Sequence, residues 1–126
     1  LGGLLGSCLS EGEVMTDLKA KEAAFQEAML EIYRRAKAEC EYNAIRFLQM
    51  VTDFGGVETA KKLLLSDDIQ YGFTKLWECG CLSLTVEAHV LLPEFRHFFT
   101  REMQRRARDR LLAHDPHFFD HWKEQH

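Results

Sequence analysis

The chain has 126 residues, of which 46% are hydrophobic and 29% charged, and carries a formal net charge of −4. This size and balance suit one globular domain that buries a core without disulfides or a structural metal, and they exclude wholesale disorder and collagen-like composition. The acidic balance speaks against a general nucleic-acid or membrane-surface binder but leaves room for a local basic face.

With only two prolines and Ala, Leu, Glu, Lys and Arg dominating between the glycines, the composition favours helices over strands. No run of about 18 apolar residues offers a membrane span. The four cysteines, Cys8, Cys40, Cys79 and Cys81, are too few and too irregular for a disulfide framework, and one Cys-x-Cys lacks the second ligand pair of a zinc ribbon. A reducing, cytoplasmic setting is expected.

Residues 1–14 hold half of the eight glycines and no basic n-region, so a flexible tail is expected there, with a single helical domain over 15–126. From Thr16, read as an N-cap, the spacing of Phe25, Met29, Ile32, Ala36 and Cys40 predicts a long amphipathic helix with Glu27, Glu31, Arg34, Arg35, Lys37 and Glu39 facing water. A break near Tyr42 follows, with Asn43 as the cap of a second helix. Ile45, Phe47, Leu48, Met50 and Val51 make that helix apolar nearly all round and predict a central position.

Gly55 and Gly56 stop the second helix. Val57, Ala60, Leu63 and Leu64 predict a short third helix with Lys61 and Lys62 outward, ended by Ser66, Asp67 and Asp68. Another short helix is expected from Gly72 to Glu78, stopped at Gly80. The alternation of Leu82, Leu84 and Val86 imitates a strand, but Thr85 is a good cap and Val86, Val90 and Leu91 share a helical face. Pro93 opens a turn over 94–99. Thr100 then caps a helix running to about Ala113 with Met103, Ala107 and Leu111 as its buried stripe, and Pro116 separates an aromatic end from His117 to Trp122. The expected fold is all-α, an irregular orthogonal bundle of about six helices packed around Phe47, Leu76 and Trp77.

Between Glu31 and Leu112 the chain carries Ile32-Tyr33-Arg34, Tyr42-Asn43-Ala44 with Arg46-Phe47-Leu48, Gly55-Gly56, Gly72-Phe73-Thr74 with Leu76-Trp77-Glu78, Leu84-Thr85-Val86-Glu87, Pro93-Glu94-Phe95 and Phe99-Thr100. In these residues it resembles a family of small bacterial proteins of unassigned activity, whose members often have glycine where this chain has Glu41 and a small or apolar residue where it has His89. The resemblance implies a stand-alone bacterial domain and no established chemistry.

Several residue groups could carry function. Arg101, Arg105 and Arg108 recur at helical spacing and could hold phosphates or an acidic partner, assisted by Arg34, Arg35, Lys61 and Lys62; a solvated face partly neutralised by Glu102 and Asp109 is the competing reading. His114, His117 and His121, close to Asp115 and Asp120, could share one metal ion or form a solvated end. Cys79 and Cys81 flank Gly80 and could be redox-active or simply buried. Glu78, Glu87 and His89 could do acid/base work if space brought them together, or could pair with neighbouring Arg and Lys. Phe118, Phe119 and Trp122 would mark a protein interface if exposed, or cover the core if folded back.

Together these features predict a bacterial cytoplasmic interaction or accessory/regulatory module without catalytic activity or cofactor, whose partner is another protein or a second copy. A nucleic-acid-binding domain using the arginine stripe is the alternative, and a metal-dependent enzyme a weaker one. No membrane partner is expected.

Overall fold

A computed structural model describes the backbone of residues 11–66, 72–120 and 122, with side chains from Asp17 onward. These residues form an all-α bundle of six helices: α1 (Glu11–Cys40), α2 (Ile45–Phe54), α3 (Gly56–Leu65), α4 (Phe73–Glu78), α5 (Val86–Val90) and α6 (Arg101–His114). Short 3₁₀ turns occupy Leu82–Leu84, Arg96–Phe98 and Phe118–Asp120. No described helix is long and apolar enough to cross a membrane.

α1 has 30 residues, about 45 Å at the usual helical rise. It begins at Glu11, so Thr16 lies inside the helix and does not cap it, and four residues of the expected tail are helical; the rest of that tail lies outside the described residues. Among the described side chains, the later part of α1 meets the core. Phe25, Met29, Ile32, Ala36 and Cys40 are buried as their spacing predicts, whereas Asp17 to Ala20 are exposed. Phe25 anchors the contact, its ring meeting Phe95 at 5.0 Å and Phe99 at 5.5 Å; burying one such side chain stabilises by about 2–3 kcal/mol.

α1 ends where Glu41 takes a left-handed φ of 53° and the Tyr42 amide donates to Ala36 O at 3.1 Å. Asn43 is not the cap of α2. That place belongs to Ala44, which has no side-chain cap bond, while Asn43 Oδ1 accepts from Tyr33 Oη at 2.6 Å. The hydroxyl of the preceding helix claims the oxygen that capping would have used. α2 is also less central than its composition suggests: Phe47 and Val51 are buried, but Ile45 is 53% exposed.

The central element is α3, which packs against α1, α2, α5 and α6. Thr59, Ala60, Leu63 and Leu64 are buried along it. Two of the three expected threonine caps occur, at Thr85 and Thr100. Thr85 Oγ1 accepts from Ala88 N at 3.2 Å and Thr100 Oγ1 accepts from Met103 N at 3.1 Å, each stabilising its helix by about 1 kcal/mol.

Of the three expected core anchors, Phe47 and Leu76 are buried and Trp77 is 44% exposed. Trp77 lies along the surface, and its Nε1 donates to His114 O at 3.1 Å, tying α4 to the end of α6. Gly72, which opens α4, has φ 103°, and a Cβ there would overlap the Tyr42 ring. This glycine is required both by its backbone and by the space it leaves.

Candidate functional site

The corner between α2 and α3 is built from Gly55 and Gly56, pressed against α1. Gly55 has φ 86°, and a Cβ on Gly56 would stand 3.0 Å from Gln26 Cα and 3.1 Å from Met29 Cγ. The Gln26 side chain completes the joint: its Oε1 accepts from Gly56 N–H and its Nε2 donates to Val51 O at 3.3 Å. One side chain of α1 thereby satisfies the orphaned Gly56 N–H and adds a second donor to Val51 O, which also accepts from Gly55 N–H at 2.9 Å.

Beside this joint runs an open groove of about 550 Å³ between α1 and the corner. Phe54, Val57 and Phe98 supply apolar surface, and Lys19, Glu22, Glu58 and Lys61 supply charge. Phe54 is 52% exposed, with Lys62 Nζ 4.9 Å above its ring, a favourable cation–π placement. In the sequence Gly55-Gly56 stands out as a helix stop, whereas Phe54 and Gln26 carry no local signal. A helix stop needs one glycine; the second was the available sign of a close backbone approach.

The arginine stripe lies where expected, on the outer side of α6, but its charge is largely engaged. Arg105 bonds Glu102 through Nη2 at 2.5 Å and through Nε at 3.0 Å, and reaches Asp109 at 3.4 Å. The exposed carboxylate of Glu102 is held below its ordinary range chiefly by the hydrogen bond from Arg105. Arg108 lies over Phe119 at 5.7 Å, and Arg101 is exposed. Arg34 bonds Glu31 at 2.5 Å and Glu27 at 2.9 Å, and Arg35 bonds Glu39 at 2.6 Å. Lys61 lines the groove rather than joining the arginines, and Lys62 covers Phe54.

The neighbouring row of α6 has a different role. Arg110 donates to Leu63 O at 2.9 Å, to Leu64 O at 3.2 Å, to Ser66 O, and to Glu87 Oε2 at 3.0 Å. Arg106 adds weaker bonds to Leu64 O and Leu65 O at 3.4 and 3.3 Å. These guanidinium groups satisfy the last carbonyls of α3 and complement the negative end of its dipole. Glu87 is fully buried. Its meeting with Arg110 follows the pairing alternative; His89 instead donates from Nδ1 to Thr85 O at 2.8 Å, and Glu78 is exposed.

The histidines do not converge among the described residues. His114 Nδ1 donates to Arg110 O at 2.9 Å, with its ring edge-on to Phe73 at 4.7 Å and Trp77 at 5.2 Å. His117 is exposed beside Asp120 at 3.0 Å, and His121 lies outside the described residues. No group of three His, Cys, Asp or Glu suited to a metal ion occurs among the described residues. At the aromatic end, Phe118, Phe119 and Trp122 are half-buried against the core, with rings 5.0–5.7 Å apart. With Leu91 and Arg108, Phe119 and Trp122 line a smaller hollow of about 250 Å³.

Comparison with known proteins returns no matching family model, no similar curated protein and no similar solved structure.

Proposed function

We propose that the protein is a non-catalytic helical interaction module, an accessory or regulatory component of the bacterial cytoplasm, that associates through the groove beside the Gly55–Gly56 corner. The observation that carries this reading is the composition of that groove. An apolar strip with a half-exposed Phe54 lies among two lysines and two glutamates, the pattern of an apolar interface centre with a charged rim. The occupant is a second copy of the chain. Lys19 and Lys61 balance Glu22 and Glu58 in sign and number, so a two-fold arrangement can bring lysine opposite glutamate. The bacterial, cytoplasmic setting is what the sequence resemblance and the free cysteines support.

Sedimentation of the full chain over a micromolar concentration series tests this. A reversible monomer–dimer equilibrium is expected, weakened about 30-fold or more by Phe54→Asp, the size of effect seen when an anchoring aromatic is lost. A single-chain mass at every concentration, or a dimer indifferent to Phe54→Asp, overturns the reading.

A nucleic-acid reading has one observation in its favour: Arg101, Arg105 and Arg108 are all exposed on α6. The carboxylates around Arg105 reduce what that face offers a phosphate. Duplex binding that falls steeply with salt and weakens with Arg108→Ala would support this second reading.

A further inference from the structure

The outer side of α6 and the aromatic end of the chain meet at the hollow of about 250 Å³, which shares no lining residue with the groove beside the Gly55–Gly56 corner. Leu91 follows α5, Arg108 stands on α6, Phe119 belongs to the 3₁₀ turn at 118–120, and Trp122 lies just beyond it. The rings hold one another in place. Phe119 meets Trp122 at 5.7 Å with their planes 75° apart, and Phe118 packs against both, at 5.0 and 5.4 Å. Two nearly perpendicular rings can offer an incoming ring both a face and an edge, the contacts that aromatic groups prefer.

Arg108 differs from Arg34, Arg35, Arg105 and Arg110, each of which is held by a carboxylate. Its guanidinium lies 5.7 Å above the centre of the Phe119 ring. The residues one turn away on α6 are Gln104, Arg105, Leu111 and Leu112, so its own helix offers it no acid. The acids nearest in sequence are engaged elsewhere. Glu102 and Asp109 bond Arg105 at 2.5 and 3.4 Å, Asp115 Oδ1 accepts from His117 N–H at 3.0 Å, and Asp120 pairs with His117 at 3.0 Å. Among the described residues Arg108 therefore has an aromatic neighbour and no carboxylate partner.

We propose that this hollow binds a small aromatic monocarboxylate, whose ring enters beside Phe119, Trp122 and Leu91 and whose carboxylate accepts two N–H bonds from Arg108. Size and charge select the ligand. The volume of about 250 Å³ lies below the range of about 300–1,000 Å³ usual for drug-sized ligands, so it suits one ring system with a short acid arm. One guanidinium matches one carboxylate in a bidentate pair. A phosphate dianion calls for a second cation, which Leu91, Phe119 and Trp122 do not supply. The site is independent of self-association through the groove, and either can fail while the other stands.

The probe is 3-phenylpropionate, titrated into the isotope-labelled full chain and followed at the indole N–H resonance of Trp122, which is identified by its loss in Trp122→Phe. A saturable shift with a dissociation constant of about 0.1–1 mM is expected for a ligand of this size. 3-Phenylpropionamide keeps the ring without the charge and should bind at least about tenfold more weakly. Cyclohexylpropionate keeps the charge without the aromatic ring and should bind about threefold more weakly. Arg108→Gln should reduce affinity for the acid to that for the amide. Arg105→Gln, which alters a residue already paired with Glu102, should leave affinity within about twofold. Equal affinity for acid and amide, equal weakening by both arginine substitutions, displacement of the probe by equimolar inorganic phosphate, or no saturable shift at about 10 mM probe overturns the proposal. The comparison of acid with amide on the unaltered chain decides the matter even if a variant folds poorly.

Discussion

Arg110 and Arg105 belong to the same turns of α6 yet live in different surroundings. The Arg110 side chain is 12% exposed and engages three carbonyls of the α3 end together with the buried Glu87 carboxylate; the Arg105 side chain is 63% exposed and bonds carboxylates of its own helix. One arginine joins separate elements, and the other decorates one element. An ion pair in water competes with hydration and gains little, whereas a buried charge whose partner is removed has nothing equivalent to replace it. Charge of one kind on one helix can therefore be indispensable on one side and dispensable on the other.

The most direct way to break that contrast is Arg110→Ala. It withdraws the Arg110 guanidinium from buried Glu87 and removes donors from the α3 carbonyls, and it is expected to cost about 3–5 kcal/mol in urea unfolding. Combining Arg110→Met with Glu87→Gln should recover part of that loss; no recovery would mean that the carbonyl contacts matter more than the charge pair.

Gly72→Ala should come next, at about 1–3 kcal/mol, because the new methyl meets the Tyr42 ring and the backbone stays left-handed. Gly80→Ala, whose Cβ would meet open space at φ 72°, isolates the backbone part of that cost at about 1 kcal/mol. Equal losses at both positions would show that Tyr42 yields easily. Thr100→Ala should lower stability by about 1 kcal/mol through loss of the α6 cap. Glu41→Gly should raise stability by about 0.5–1 kcal/mol, since it relieves the left-handed residue after α1. At the small end, Arg105→Ala should leave the unfolding midpoint within measurement error; a clear drop would refute the division between the two faces of α6.

Much of the helical layout was legible because it follows from local rules. The stripes Phe25-Met29-Ile32-Ala36-Cys40 and Met103-Ala107-Leu111 are buried as their spacing requires, and Thr85 and Thr100 cap as threonines before a helix do. What escaped depended on distant neighbours. Asn43 looked like a cap until Tyr33 took its oxygen, and Trp77 looked like core until its indole found the His114 carbonyl. Arg106, Arg110 and His114 recur every four residues beside the buried stripe of α6, so their inward placement could have been read from the helix period. Arg101, Arg105 and Arg108, the stripe suited by spacing to phosphates, lie on the exposed side instead. The groove was hidden because it needs Gln26, Phe54 and Phe98 from three separate stretches, and no local pattern joins them.

The fastening of α3 by α6 bears on the order in which the molecule can mature. Leu63, Leu64 and Ser66 emerge from the ribosome well before the arginine whose guanidinium ties them down. At a synthesis rate of about 5–20 residues per second, that interval lasts on the order of seconds. Until Arg110 arrives, the nascent bundle lacks its clasp, so consolidation of the central helix is a late event that awaits the synthesis of α6.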